Sequence, residues 1–266
     1  MAKLRATILG CGSSGGVPRI GNVWGDCDPE NPKNRRLRCS MLLERINKSG
    51  TTRVLIDTSP DMRQQLLAAE VEKVDAVVYS HAHADHVHGL DDLRMIVFNT
   101  KQRIPVWADM PTQTDLYARF RYAFITPDGS NYPPICDMHT IEGDVTICGD
   151  GGDITLTPLP VQHGQIGALG FRIGGLAYLP DVSEIPETTW PLLQGLDIWV
   201  LDALRRKPHP SHVHLERSLE WITRAAPKRA VLTNMHIDLD YATVDVETPD
   251  NITPAYDGLR LTFDTE

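Results

Sequence analysis

The run Ser80-His81-Ala82-His83-Ala84-Asp85-His86 follows directly on the apolar stretch Val74–Tyr79. Three imidazoles and a carboxylate within six residues, at the end of what reads as a buried strand, are poor packing material, because each brings polar atoms that need partners. They are the donors that hold divalent transition metals. His81 and His83 lie two apart and can reach one ion. Asp85 and His86, just beyond, can reach a second. Two ions call for more ligands than this loop supplies, so the fold has to bring others to the same place.

Three further places offer them. Leu159-Pro160-Val161-Gln162-His163-Gly164 sets a histidine at the end of a strand, and Tyr178-Leu179-Pro180-Asp181 does the same with an aspartate. Between them, Gly170–Tyr178 reads as a β-hairpin whose Gly174-Gly175 can take the positive φ of a tight turn. A hairpin joins its open ends, so His163 and Asp181 are expected side by side. Leu232-Thr233-Asn234-Met235-His236 adds a histidine past another apolar strand. The resulting allocation is His81, His83 and His163 on one ion, Asp85, His86 and His236 on the other, and Asp181 bridging. Taken singly, His163 or His236 reads as readily as a structural histidine; it is the combination with the first cluster that makes a site.

Short β-branched runs recur from end to end, at 4–9, 41–46, 53–56, 74–79, 104–107, 145–148, 154–160, 168–173, 176–179, 198–201 and 230–233, bounded by Gly, Pro, Asn or Asp as strands are. Helical periodicity predicts helices over 60–70, 86–99, 111–124, 184–194 and 212–225; in the last, Leu215, Leu219 and Ile222 share one face. Strands mixed with helices point to two sheets with helices on their outer faces. At 266 residues, with no repeat or clear linker, the chain reads as a single domain. Residues 10–40 form the longest irregular stretch, and the segment after about 240 reads as a polar tail or an edge. The net charge of −9 argues against an extended nucleic-acid footprint or a membrane surface. Five scattered cysteines without a C-x-x-C pair form neither a disulfide framework nor a cysteine zinc site. With no signal peptide and no run long enough to span a bilayer, a cytoplasmic protein is expected.

The order H-x-H-x-D-H, distal His, Asp, His resembles the metallo-β-lactamase superfamily. That resemblance implies an α+β fold, the αββα four-layer sandwich, with a dinuclear site along one sheet edge. Leu9–Pro18, Arg36-Leu37-Arg38-Cys39-Ser40 and Pro208-His209-Pro210-Ser211-His212 are similar to the branch containing the carbon–phosphorus-lyase-associated cyclic phosphodiesterase. An aspartate at 181 is similar to phosphodiesterases and thioesterases, whereas many true β-lactamases carry cysteine there. Two departures stand out. The branch commonly reads Thr-His-x-Ser-His after the last strand, but here the line is Thr233-Asn234-Met235-His236, which leaves open whether Asn234 or His236 completes the second metal site. Cys27 stands alone where a relative holds a structural zinc on several cysteines, so no such zinc is expected.

The chemistry implied is hydrolysis with two divalent ions, zinc or manganese, holding a hydroxide between them and clamping the oxygens of an in-line displacement at phosphorus. Asp85 is expected to serve catalysis as well as metal binding, and His212 to act as general acid or phosphate contact, with His214 as fallback and Arg38 as a further substrate contact. The glycines of 10–16 lack a P-loop ending and are read as letting the backbone pass close to the cleft. Arg205, Arg206 and Lys207 can attract a phosphate but read equally as a solvated face; His88, His139 and His209 read as ordinary polar residues. The expected partners are a small phosphodiester or nucleotide and a second copy of the chain. A tRNA 3′-end-type nuclease, a thioester hydrolase and a non-catalytic metal-bound accessory protein are the alternatives.

Overall fold

The computed structural model describes residues 3–263. Strands β1 (Lys3–Gly10), β2 (Ser40–Ile46), β3 (Thr51–Ile56), β4 (Ala76–Val78), β5 (Ile104–Ala108) and β6 (Cys136–Thr140) form one sheet, with β14 (Arg260–Phe263) on the outer edge of β1. The second sheet runs in space from β7 (Val145–Ile147) through β8 (Ile154–His163), β9 (Ile166–Ile173), β10 (Leu176–Leu179), β11 (Ile198–Asp202) and β12 (Arg229–Thr233) to β13 (Ile252–Pro254). The two sheets share one plan. Each begins with antiparallel neighbours and ends in a parallel run, β3 to β6 in the first and β10 to β13 in the second.

Alternation along the strands explains the layering. Met41 and Leu43 of β2, Val54 and Ile56 of β3, and Ala76 and Val78 of β4 join the core between the sheets, where they meet Leu156, Phe171, Tyr178 and Val200. The intervening Leu42, Leu55 and Val77 point the other way, into a second cluster with Met62, Leu66, Leu93 and Leu116. Those come from α1 (Met62–Ala68), α3 (Leu93–Thr100) and α4 (Met110–Phe124), which cover the outer face of the first sheet. On the far side α5 (Leu215–Ala225) lays Trp221 and Ile222 on the second sheet, and α6 (Tyr241–Glu247) packs beside β13. The result is the expected αββα sandwich. Strands buried on both faces read as continuous apolar runs, as strands in parallel sheets do.

Two expectations need correction. The pattern at 184–194 yields only a 3₁₀ turn at Trp190–Leu193. Pro186 and Pro191 remove backbone donors there and bias the residues before them toward extended geometry. The helix expected over 86–99 is broken at Gly89 into α2 (Ala84–Val87), a 3₁₀ turn and α3. A Cβ at Gly89 would lie 2.1 Å from the Ser59 carbonyl, so the chain must turn there as glycine. Of the two readings of the polar carboxyl-terminal segment, tail or edge, the structure has the edge: α6 is followed by β13 and β14, one edge strand for each sheet. Among the described residues, no helix is long and apolar enough to cross a membrane.

The loop after β1 is where the sheets are stitched together beside the site. Gly12 bridges both Arg38 and Met235. A Cβ at Gly10 would lie 2.0 Å from the Arg38 carbonyl and one at Gly12 2.9 Å from that of Arg36. These glycines serve close backbone approach, as their lack of a P-loop ending suggested.

Candidate metal centre

Loops at the ends of β4, β8 and β10 bring His81, His83, His163 and Asp181 together, with one donor atom from each lying within 4.8 Å of the others. The meander β8-β9-β10 explains part of this. Strands on either side of β9 end at the same edge, which places His163 Nε2 3.5 Å from Asp181 Oδ2. His83 Nδ1 is 3.0 Å from His163 Nε2, and His81 Nε2 is 3.7 Å from Asp181 Oδ2. Beside this group, His86 Nε2 lies 3.2 Å from Asp181 Oδ1 and 3.6 Å from Asp85 Oδ2.

The outer nitrogen of each key ring is fixed, leaving the inner one to face the centre. His81 Nδ1 meets Ser80 Oγ at 2.9 Å, His86 Nδ1 meets Asp57 Oδ2 at 2.8 Å, and His163 Nδ1 donates to the Ser211 carbonyl at 2.6 Å. His81 Nε2 and His86 Nε2 are buried and make no hydrogen bond. Buried orphan nitrogens converging beside a carboxylate are what a metal requires, since each lone pair lacks any other partner. For His81 and His163 the charge states agree, whereas Asp181 and Asp57 outweigh burial and hold His86 well above its ordinary value. Burial pulls His81 well below its ordinary pKa and His163 down to about 4, so both are neutral ligands at pH 7. Burial raises Asp181, but His86, His212 and His81 outweigh it and hold the carboxyl well below its ordinary value.

Asp57 organises this shell. It is fully buried at the end of β3 and accepts from Ser80 N, Ser80 Oγ and His86 Nδ1, each at 2.8 Å. It thereby orients His86 directly and His81 through Ser80. Its φ of +63°, in the left-handed region, is a conformation that Asp tolerates better than most residues. Asp202 plays the matching part at the end of β11. Its Oδ2 accepts His212 Nδ1 at 2.9 Å and Val182 N at 3.1 Å. Burial alone would lower His212, yet Asp202 and Asp181 lift it to about 9, while burial raises Asp202 to about 7. His212 Nε2 then faces the centre, 3.9 Å from Asp181 Oδ2.

A model of the beta-lactamase superfamily domain matches residues 52–237. The chain belongs to the metallo-β-lactamase superfamily. A solved diphosphatase from the PhnP family is 37% identical, covers 98% of each chain and superposes with a TM-score of 0.87, which places the chain in that branch. Zinc-bound PqqB from Methylobacterium extorquens, at 20% identity over 97% of this chain and 99% of its own, shares the fold with a TM-score of 0.73. A Porphyromonas gingivalis protein named an octanoyltransferase is 34% identical over 98% of this chain and 52% of its own length. The chain thus spans about half of that relative. Superfamily membership and the His/Asp cluster make the protein a metal-dependent hydrolase.

Against the superfamily pattern, the last ligand is where the chain departs. His236 was expected on the second ion. Instead Nδ1 lies 3.0 Å from Asp238 Oδ1, and Nε2 receives Nη2 of Arg19. Both ring nitrogens are engaged outside the cluster, because β12 ends before it and the chain turns at Asn234, φ +58°. Asn234 occupies the position facing the centre, with Nδ2 on the Pro180 carbonyl at 3.1 Å and on Asp181 Oδ1 at 3.2 Å. The second position is left with Asp85, His86 and Asp181. Arg38 does not reach inward either; its Nε pairs with Asp61 Oδ2 at 3.0 Å. His214 sits at the N-cap of α5, beyond the cluster. His209 is no ordinary surface histidine, since its ring lies 5.2 Å from that of His212. Asp57, Asp202 and Arg19 lie outside the motifs that mark the site in the sequence. The only signal for the first two was an aspartate directly closing an apolar strand.

Proposed function

We propose that this hydrolase acts on phosphoric esters, as a dinuclear zinc or manganese phosphodiesterase cleaving small, cyclic or nucleotide-derived substrates. The observation that carries this reading is the His212–Asp202 pair set against the centre: a proton donor beside the ligands, where a leaving oxygen would form. When bound, ions held by His81, His83, His163 and Asp181, and by Asp85, His86 and Asp181, would supply Lewis-acid polarisation of the phosphoryl oxygens and a water of lowered pKa. The chain's own part is proton transfer and positioning. Asp202 holds the Nδ1 proton of His212, and at a pKa of about 9 the ring is protonated at neutral pH and able to donate from Nε2 to the departing oxygen. The PhnP-family diphosphatase, a likeness above a third in identity, supports phosphorus as the reacting centre.

Octanoyl transfer, in the name of the Porphyromonas relative, gains no support from the site. The Cys39 thiol is buried against the Gly12 carbonyl and Thr233 Oγ1, and burial pushes its pKa well up, away from a nucleophile's range. Five free cysteines, four of them buried, favour a reducing compartment and hence the cytoplasm. The test is hydrolysis of bis-p-nitrophenyl phosphate by metal-loaded protein, alongside metal analysis. His81→Ala and Asp181→Ala are expected to abolish turnover. Unchanged turnover in either variant would sink the reading.

A further inference from the structure

Next to the metal centre lies a cavity of about 130 Å³, lined by Ser13, Ser14, Arg19, Arg205, His209 and His236, with His212 as the wall it shares with the centre. Among the described residues, no carboxylate lines it. On a chain of net charge −9, a concave surface of two guanidiniums, imidazoles and hydroxyls is a local reversal of sign that fits an anion. That space is enough for a phosphate group.

The polar groups are arranged in advance. Asp238 fixes the Nδ1 proton of His236, which leaves Nε2 as an acceptor that takes Nη2 of Arg19. Asp238 itself is anchored by the Arg206 backbone N–H at 3.1 Å. Arg205 is pinned by Nε to the Lys207 carbonyl at 3.0 Å and by Nη2 to that of Pro208 at 2.7 Å. Among the described residues, Nη1 of both arginines and Nε of Arg19 make no hydrogen bond. A forked guanidinium held by one edge presents its remaining donors in a fixed direction, the geometry suited to phosphate.

We propose that this cavity is a second anion site in which Arg19, positioned by His236 and Asp238, holds the non-reacting phosphate of a diphosphate substrate. The inference rests on the phosphoryl-hydrolase reading above. In the reaction, water adds to the phosphorus at the metal centre and the bond from that phosphorus to the bridging oxygen breaks. His212 protonates that oxygen, now on the phosphate in the cavity, and the water's surplus proton goes to solvent. Two phosphate monoesters result.

The experiment compares diadenosine 5′,5′-diphosphate with bis-p-nitrophenyl phosphate, which has no second phosphate, as substrates of the metal-loaded full chain. It is paired with calorimetric titration of inorganic pyrophosphate into metal-free protein. For Arg19→Gln, the ratio of kcat/KM values, diphosphate over monophosphate diester, is expected to fall at least tenfold, mainly through KM. Arg19→Lys should fall between it and wild type, His236→Ala should follow Arg19→Gln, and His236→Gln, which keeps an acceptor, should recover part of the loss. Pyrophosphate binding to metal-free protein should weaken at least tenfold in Arg19→Gln. A selectivity ratio within twofold of wild type in a variant that melts normally overturns the proposal. If wild type hydrolyses neither substrate, the phosphoryl-hydrolase reading fails, and the titration alone decides the anion site: binding lost with Arg19 upholds it, and equal binding or none overturns it.

Discussion

Replacing Asp57 by Asn separates the support of the metal centre from its ligands. The carboxylate accepts three hydrogen bonds at 2.8 Å: Oδ1 takes Ser80 N–H, and Oδ2 takes both Ser80 Oγ and His86 Nδ1. Asparagine keeps one acceptor oxygen, which the Ser80 backbone N–H can claim. The amide nitrogen then faces His86 Nδ1 and Ser80 Oγ as a donor. Ser80 Oγ can turn to accept, but His86 can do so only by moving its proton to Nε2, the nitrogen that faces Asp181 and has no other partner. Metal binding must then displace that proton. Loss of an outer partner of this kind costs about 10–100-fold in metal affinity, or about 1.4–2.7 kcal/mol. Fold stability without metal should change far less, because size and most hydrogen bonds are retained. The assay is metal content after dialysis against graded chelator, with thermal melts in metal and in chelator. At a fixed saturating metal concentration, the metal-induced stabilisation should shrink by the same 1.4–2.7 kcal/mol or so. Asp57→Asn that melts normally without metal yet retains metal like wild type would show that Asp57 does not support the centre through His86.

Two further substitutions test charged groups on other elements. Asp202→Asn removes the carboxylate that holds His212 up to about 9, so the alkaline limb of the pH–rate profile should move to lower pH and kcat should fall by roughly 10²-fold; a profile identical to wild type would count against His212 as the acid. Asp257, whose Oδ1 and Oδ2 accept the backbone N–H groups of Cys11 at 3.1 Å and Leu37 at 2.7 Å, is raised by burial to about 7. Between the ordinary carboxyl value near 4 and about 7 the folded state holds a proton that the unfolded chain has lost. Stability from this group is therefore full below about pH 4 and declines as pH rises to about 7, by at most about 4 kcal/mol. Asp257→Asn should flatten that part of the Tm–pH curve; an unchanged slope would show that other groups set it.

The sandwich was legible in the sequence because its central strands are buried on both faces and so read as unbroken apolar runs. The strands that escaped notice lie at the sheet margins. Cys136-Asp137-Met138-His139-Thr140 alternates with polar residues, and Ile252–Pro254 and Arg260–Phe263 are three and four residues long. Edge strands carry less apolar signal than central ones. The ligands of the first metal position were legible for a different reason: two share a dense local motif, and His163 and Asp181 each follow an apolar run. His236 misled because period-two alternation holds only while the segment stays extended. The left-handed turn at Asn234 ends that alternation, and nothing in Thr-Asn-Met-His announces it.

The supports and the ligands obey one rule. In both sheets the parallel strands deliver their carboxyl ends to a common edge, and open parallel sheets gather their chemistry at those ends. Asp57 follows β3, His81 follows β4, Asp181 follows β10, Asp202 closes β11 and Asn234 follows β12. The matching plan of the two sheets explains the pairing of roles: β3 and β11 each end in a buried aspartate that holds the Nδ1 proton of a histidine from elsewhere in the chain. A residue at that edge is therefore positioned by topology before its chemistry is chosen. The same edge can give up a ligand at Asn234 and place His236 two residues on, where it orients Arg19 instead. Departure from the superfamily's ligand set and gain of an anion-facing arginine are, on this geometry, two consequences of one turn after β12.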